Sequence, residues 1–434
     1  MMEFDTTQRI EFAGPGEIRS LQEARLKKHL EYAAAHSPYY RELFRKQGIT
    51  AAGVTLDSLQ ELPLTDKTAL SLANDDFLAV PRSTIVDIVL SSGTTGRPTA
   101  MMYTESDLRR LAYNEQISFA SCGLTPDDVV LLTCTLDRCF IAGLAYFSGV
   151  RSLGAAAIRN GLSSVESHLE IIRRLRPTAV VGVPTFLLKL GQYLRSQDVD
   201  PRENGITRLI CIGEPIRDRD LAFLKIGASL EEVWGAKIYS TYASSETITT
   251  FCECTAQRGG HLHPDLAVVE IVDDKGARVP AGETGEVVVT PLGIEGMPLI
   301  RFKTGDVSFL VEGQCACGRN SVRLGPILGR KKQMIKFRGT TLYPNSVYAV
   351  LDSFPGISEY YITATSDYDL SDVLTITAAV KDPSCTARMI METLQARLRV
   401  RPEVVIASEE QVRSQVYAGN SRKLVRFVDK RKNA

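Results

Sequence analysis

The sequence predicts an α/β fold: a large N-terminal domain with mostly parallel sheets and an attached β subdomain, then a small α+β C-terminal domain. Between about 127 and 240, short apolar runs alternate with segments of helical length, the pattern of strands joined by helical crossovers. After about 265 the helical segments cease and alternating strands take over. The polar break Gly329-Arg330-Lys331-Lys332-Gln333 then precedes a stretch in which short strands and helices alternate again. A chain of 434 residues exceeds the usual single-domain size. The expected domains are 1–329, with the β subdomain at about 250–325, and 330–434.

In chain order, residues 17 to 48 read as charged amphipathic helix and then a loop, and Thr65-Asp66-Lys67 opens a short helix. Ile85 to Leu90, interrupted only by Asp87, reads as a strand. The alternating part gives strands at Val129–Thr133, Ala155–Ile158, Ala179–Val183, Leu209–Ile212 and Lys237–Tyr239. Helices are expected near 142–153, 164–175, 185–195 and 217–227, so the crossovers are right-handed and the sheet mostly parallel. Val268–Val272 and Gly285–Val289 are bounded by turn residues and read as antiparallel strands.

Composition excludes several classes. The hydrophobic fraction of 44% suffices for a real core. Lys plus Arg (51) equals Asp plus Glu (51), which argues against nucleic acid or an anionic membrane as partner. The N-terminus lacks a basic segment followed by an apolar core, and no stretch offers a membrane span, so a cytoplasmic protein is expected. Nine cysteines without a secretion signal point to reduced thiols or metal ligands rather than disulfides.

Directly after the strand ending near Leu90 comes Ser91-Ser92-Gly93-Thr94-Thr95-Gly96-Arg97-Pro98-Thr99. Glycines let backbone NH groups turn toward an anion, the hydroxyls add donors, and Arg97 supplies positive charge, a set suited to polyphosphate. It is not a Walker A loop: Gly93 and Gly96 are separated by two residues, and Pro98 disfavours helix continuation.

This string, with Tyr103-Thr104 behind it, resembles the phosphate loop of acyl-adenylate-forming (AMP-binding) enzymes, and more narrowly of the bacterial phenylacetate-coenzyme A ligases. His36-Ser37-Pro38-Tyr39-Tyr40-Arg41 and Leu62-Pro63-Leu64-Thr65-Asp66-Lys67 resemble that family's helical entry. The resemblance implies an ATP-dependent ligase that forms an acyl-adenylate with Mg²⁺ and passes the acyl group to coenzyme A. A carrier-protein thiol or an amine as acceptor, and a non-catalytic nucleotide-binding protein of the same fold, are the alternatives. Gly213-Glu214-Pro215 resembles the adenine-contacting turn and stands at a strand's carboxyl end, where open α/β sheets place ligands. Tyr242-Ala243-Ser244-Ser245-Glu246 resembles the family's Tyr-Gly-x-Ser/Thr-Glu segment. It assigns Tyr242 to adenine, and Ser245 with Glu246 to phosphate and Mg²⁺, for which hard oxygen ligands are suited. Arg301-Phe302-Lys303-Thr304-Gly305-Asp306 resembles the segment ending in Thr-Gly-Asp, with Asp306 accepting from the ribose hydroxyls. Ser421-Arg422-Lys423-Leu424-Val425-Arg426 resembles the Gly-Lys-x-x-Arg-Val strand, with Arg422 where Gly is usual. It assigns to Lys423 the bridging of carboxylate and phosphate oxygens during adenylation. Gly329-Arg330-Lys331-Lys332-Gln333-Met334-Ile335 resembles the hinge of a mobile C-terminal domain, with Lys332 at the hinge position, and Phe337-Arg338-Gly339 the strand after it, whose Arg338-Gly339 would border the thiol channel.

Cys252-x-Cys254, His261-x-His263 and Cys315-x-Cys317 form three donor pairs suited to a structural Zn²⁺. The resemblance favours Cys254, His261, Cys315 and Cys317, with Cys252 and His263 as spares or supporting partners. For the acid, Phe140 and Tyr146 are the candidate walls of an aryl pocket. Asp137 and Arg138 either meet an amino or hydroxyl substituent or pair with each other to brace the loop. Family members often self-associate, so a homodimer is a further expectation.

Overall fold

The structure is a computed structural model that describes residues 9–91, 99–337, 340–367, 371–398, 400–417 and 424–431. The chain divides into two units, Met1–Thr304 with Ser308–Ile327, and Gly305–Val307 with Leu328–Ala434.

The first unit opens with α1 (Pro15–His36) and α2 (Pro38–Gln47), separated by Ser37 because Pro38 cannot continue a helix but suits the first position of one. In α3 (Lys67–Leu72) the carboxylate of Asp66 accepts from the Ala69 amide at 2.9 Å and caps the first turn. β1 (Ile85–Ser91) and β2 (Thr99–Thr104) form an antiparallel pair with Ser91 opposite Thr99. The segment Ser92–Pro98, which carries most of the expected phosphate loop, lies outside the described residues. Thr104 and Asp107 form a reciprocal capping box at the start of α4 (Glu105–Ser121).

The alternating region comprises β3 (Val129–Leu132), α5 (Ile141–Leu153), β4 (Ala156–Arg159), α6 (Val165–Leu175), β5 (Ala179–Gly182), α7 (Pro184–Ser196), β6 (Arg208–Cys211), α8 (Lys225–Trp234) and β7 (Lys237–Ser244). The expected helix at 217–227 is a correction: residues before Leu224 fold as an irregular turn. There Asp218 accepts from the amides of Asp220 and Ala222, and Arg217 bridges to Phe223. A local Asx turn competes with helix, so α8 begins only at Lys225.

Next come β8 (Thr249–Glu253), β9 (Gly260–His261), β10 (Ala267–Val272), β11 (Gly285–Pro291), β12 (Phe302–Ser308), β13 (Leu310–Val311) and β14 (Arg323–Leu324). One nine-stranded sheet has the order β13-β14-β9-β8-β7-β6-β5-β3-β4. Its β7-β6-β5-β3-β4 part is parallel throughout, and β8, β9, β14 and β13 extend it antiparallel. β10 and β11 pair antiparallel in a second sheet. Arg110 of α4, fully buried, donates to the carbonyls of Leu292, Ile248 and Leu266 at 2.7, 2.7 and 2.5 Å, fastening the helix to both β regions.

The second unit is described by itself. Asp306 and Val307 pair with Arg330 and Gly329 of β15 (Gly329–Arg330). β16 (Ile335–Phe337) pairs with β17 (Thr340–Leu342), and α9 (Pro344–Leu351) comes after them. β18 (Ile357–Asp367), β19 (Ser371–Val380), α10 (Ala387–Leu398), β20 (Glu403–Ile406), α11 (Glu409–Val416) and β21 (Phe427–Asp429) complete it. The sheet order is β20-β19-β18-β21, with a core that includes Val347, Leu351, Ile362, Leu374, Ile376, Ile390 and Leu394. Among the described residues no helix is long and apolar enough to cross a membrane.

Candidate active site

The carboxyl ends of β6 and β7 carry two of the segments singled out by sequence. Gly213 has φ 75°, the left-handed region that favours glycine, which turns the chain sharply away from the end of β6. The Glu214 carboxylate accepts from the Thr185 amide at 3.1 Å and from the Thr185 hydroxyl at 2.9 Å, so it braces the first turn of α7. Pro215 comes next, without a backbone donor. Tyr242 lies opposite Phe251 of β8, and the two rings stack with centroids 5.9 Å apart at 19°.

The Ser245 carbonyl accepts from the Tyr103 hydroxyl at 2.6 Å. Burial, then the neighbouring Glu246 carboxylate, push the Tyr103 phenol well above its ordinary value, so it remains a donor. Glu246 is 3% exposed, and the Lys67 ammonium approaches its Oε1 to 2.8 Å without the alignment of a hydrogen bond. Thr65 is held by strand-like bonds to Arg301 (3.1 Å) and Lys303 (2.8 Å), which is how a residue at the start of α3 reaches a carboxylate after β7. The buried Ser91 hydroxyl has no hydrogen-bond partner among the described residues, as suits a group at the mouth of a binding loop. Ser92, Gly93, Thr94, Thr95, Gly96 and Arg97 lie outside the described residues.

In the second unit, the Asp306 carboxylate pairs with the Arg330 guanidinium at 3.2 Å. Arg431 donates to the carbonyls of Lys332 (3.0 Å) and Met334 (2.6 Å) and pairs with Asp372 at 3.0 Å, clasping the segment expected to be a hinge. Gly339 and Lys423 lie outside the described residues. The residues just beyond Lys423 are well anchored. Arg426 stacks over Tyr360 at 4.7 Å and pairs with Glu359 at 2.8 Å, and its carbonyl accepts from the Ile362 amide at 2.7 Å.

The three candidate acid-binding residues do not come together. Tyr146 is buried in the core beside Phe119, while Phe140 is 42% exposed. Asp137 accepts from the Thr135 hydroxyl and lies 3.8 Å from Arg138, the bracing arrangement. Gly143 explains the close approach of α5 to this loop: a Cβ there would collide with the Thr135 carbonyl oxygen.

The ligand atoms of Cys254, His261, Cys315 and Cys317 all lie within 4.8 Å of one another. The Cys254 and Cys315 sulfurs are 3.6 Å apart, and the Cys317 sulfur is 3.5 Å from His261 Nε2. Two thiolates at ~2.3 Å from a tetrahedral ion would stand about 3.8 Å apart, so the set fits zinc. Ser321 bonds the other His261 nitrogen at 2.9 Å, orienting the ring. Cys252 and His263 lie apart from the cluster: Cys252 contacts Cys122 sulfur at 3.1 Å, and His263 contacts the Ser118 hydroxyl at 3.1 Å.

A family model described as AMP-binding enzyme matches residues 32–294, and one described as AMP-binding enzyme C-terminal domain matches residues 339–431. A phenylacetate-coenzyme A ligase of Thermus thermophilus is 34% identical over 353 residues, 79% of this chain and 77% of that protein. The chain belongs to the phenylacetate-coenzyme A ligase family of AMP-binding enzymes. An Escherichia coli phenylacetate-coenzyme A ligase is 28% identical over 87% of this chain and 86% of its own length. Among solved structures, a 2-hydroxyisobutyryl-CoA ligase in complex with 2-HIB-AMP covers 99% of this chain and 94% of its own, with TM-score 0.85 and 24% identity, a likeness of fold.

Two residues that touch the Ser245–Glu246 segment, Lys67 and Tyr103, stood in quoted motifs but had no role assigned from sequence. Lys67 was legible only as the start of a helix, because its partner Glu246 is 179 positions away (246 − 67). Tyr103 stood beside the phosphate-loop string, but nothing in the sequence signals its bond to Ser245.

Proposed function

We propose that this chain is an AMP-forming ligase that joins an aryl or arylacetic acid to coenzyme A. The likeness to a phenylacetate-coenzyme A ligase over 79% of the chain carries the reading. In the first half-reaction the acid's carboxylate oxygen attacks the α-phosphorus of ATP and pyrophosphate leaves. In the second, the coenzyme A thiol attacks the acyl carbon, the thiol proton is lost to solvent, and AMP leaves.

Within this scheme Ser91 to Arg97 grip the β- and γ-phosphates, Gly213 to Pro215 and Tyr242 border the adenine, and Asp306 accepts from the ribose hydroxyls. Ser245 and Glu246 face the phosphates, and Lys423 bridges the attacking carboxylate and the α-phosphate. Arg330 and Gly339 belong to the hinge and the thiol channel. Glu246 would hold Mg²⁺, which when bound supplies positive charge to the polyphosphate, as its hard carboxylate oxygens and the resemblance of the Tyr242–Glu246 segment suggest. Cys254, His261, Cys315 and Cys317 would hold a structural Zn²⁺, supported by four donors in tetrahedral reach.

Isotope exchange between pyrophosphate and ATP, run over a panel of acids with and without coenzyme A, tests the reading. Exchange dependent on phenylacetate or a hydroxybenzoate, and a thioester of that acid once coenzyme A is added, is the expected result. Exchange only with short aliphatic acids would overturn the substrate class. Exchange without thioester would move the acceptor to a carrier protein or an amine.

A further inference from the structure

At the carboxyl ends of β3 and β4 lies a cavity of about 350 Å³, bounded by residues 135–138 on one side and 159–162 on the other. β3 and β4 are parallel neighbours with Leu132 opposite Arg159, so the two loops leave the same end of the sheet side by side. The lining combines the apolar Leu136 and Leu162 with the cationic Arg138 and Arg159, the amide of Asn160 and one carboxylate, Asp137. Neither Phe140 nor Tyr146 belongs to it, so the two candidate aryl-pocket walls lie elsewhere, and what sets this cavity apart is its pair of arginines.

The Arg159 side chain rests on an aromatic ring, and the backbone that carries Arg138 is tied to a neighbouring strand. The Arg159 guanidinium lies 4.8 Å over the Phe147 ring, which engages its π face and leaves the in-plane N–H groups for other partners. Arg138 (φ 63°) and Cys139 (φ 52°) are successive non-glycine residues in the left-handed region, a backbone that needs support from its surroundings. That support includes the Cys139 carbonyl, which accepts from the Leu90 amide of β1 at 2.9 Å. The loop that presents Arg138 is thereby tied to the strand that delivers Ser91.

Strands in a sheet stand ~4.8 Å apart, and in the order β7-β6-β5-β3-β4 the cleft is two to four strands from the turns after β6 and β7. It therefore lies roughly 10–19 Å along the same sheet edge from the adenine turns. Such an offset suits a second phosphorylated substrate, whose flexible arm spans the gap to the acyl carbon. Coenzyme A is that kind of molecule, with phosphates at one end and a thiol on a long arm at the other.

We infer that Arg138 and Arg159 form a subsite for the phosphates of the coenzyme A nucleotide. The inference rests on the ligase reading and assigns the place where that ligase would hold its acceptor.

Binding of adenosine 3′,5′-bisphosphate to the full chain is measured by calorimetry, beside the KM for coenzyme A and for dephospho-coenzyme A. In the double variant Arg138→Gln/Arg159→Gln, bisphosphate affinity should fall and the KM for coenzyme A rise, each about tenfold or more, the size of one lost charge-assisted contact. The native preference for coenzyme A over its dephospho form should shrink, and the loss should fall on thioester formation more than on pyrophosphate exchange. Unchanged bisphosphate binding, an unchanged KM, or equal losses in both half-reactions would overturn the subsite. Should the double variant misfold, Arg159→Lys keeps the charge but not the fork and must still weaken bisphosphate binding. Failure of the ligase reading has a different signature: native protein without acid-dependent exchange, whatever the bisphosphate does.

Discussion

Glu115 of α4 is 1% exposed, accepts from the Thr250 hydroxyl and from Asn114 Nδ2 at 3.2 Å, and packs so tightly on α5 that a Cβ at Gly149 would collide with its own. Neither hydrogen-bond partner is charged, so burial pushes its carboxyl up to about 7. The unfolded chain releases this proton near 4.5. Stability from the group is therefore full below that value and is lost as pH rises to about 7, on the order of 3 kcal/mol in all. Glu115→Gln, which cannot ionise, should unfold at nearly the same urea concentration at pH 5 and pH 8, while the native chain is weaker at pH 8. Parallel shifts in both proteins would refute the argument. Lys67 makes a second case among single residues. Lys67→Met removes the ammonium beside Glu246 and should lower pyrophosphate exchange by about tenfold. Partial recovery with Lys67→Arg would separate charge from packing. Both residues were illegible in the sequence for one reason: a Glu inside an amphipathic helix and a Lys at a helix start look like solvated surface until distant strands close over them.

Elements show the converse, since strand ends announce themselves. The apolar runs before Gly213 and Ser91 marked the ends of β6 and β1, whereas β7 runs on past the expected end at Tyr239, through Tyr242 to Ser244. A short apolar run is a local property, and so is readable. The start of α8 was not, because Asp218 offers its carboxylate to the backbone as an alternative to helix, and which wins depends on Arg217 reaching Glu253 at 2.6 Å. Arg110 links elements more strongly still. Arg110→Leu would strip donors from three buried carbonyls, at ~1–3 kcal/mol each, so a loss of at least about 3 kcal/mol is expected in urea unfolding. The cluster of Cys254, His261, Cys315 and Cys317, proposed above to hold zinc, joins the end of β8 and β9 to the turn at 315–317. Metal analysis should find one zinc per chain, and Cys315→Ser should lose most of it together with several degrees of melting temperature. Native protein that carries no zinc, or a variant that keeps it, would end that assignment. Cysteine and histidine pairs are rare enough to be noticed in a sequence, which is why these donors were legible when Glu115 was not.

Across the full chain, two half-reactions need different groups. The segment after Lys423 is built as an anchor: the Val425 amide bonds the Val416 carbonyl, and the Ile362 amide bonds the Arg426 carbonyl. The Arg426 guanidinium lies between the Tyr360 ring and the Glu359 carboxylate. Lys423 itself lies outside the described residues, and the resemblance assigns it to a group that must meet substrate in one half-reaction and withdraw in the other. If Lys423 acts only while carboxylate and α-phosphate approach, Lys423→Ala should lower acid-dependent pyrophosphate exchange by about 10²-fold or more, yet leave thiolysis of supplied acyl-adenylate by coenzyme A within a few-fold of native. Arg426→Ala acts through position rather than contact, so its loss in exchange should be smaller, about tenfold, and Arg426→Lys should restore little because the stacked fork is what Tyr360 and Glu359 hold. Equal losses in both half-reactions for Lys423→Ala would mean that the residue supports the fold of its unit or binds nucleotide in both states. Full exchange activity would remove it from the chemistry altogether. The split between the two rates, rather than either rate alone, decides whether this end of the chain acts in adenylation.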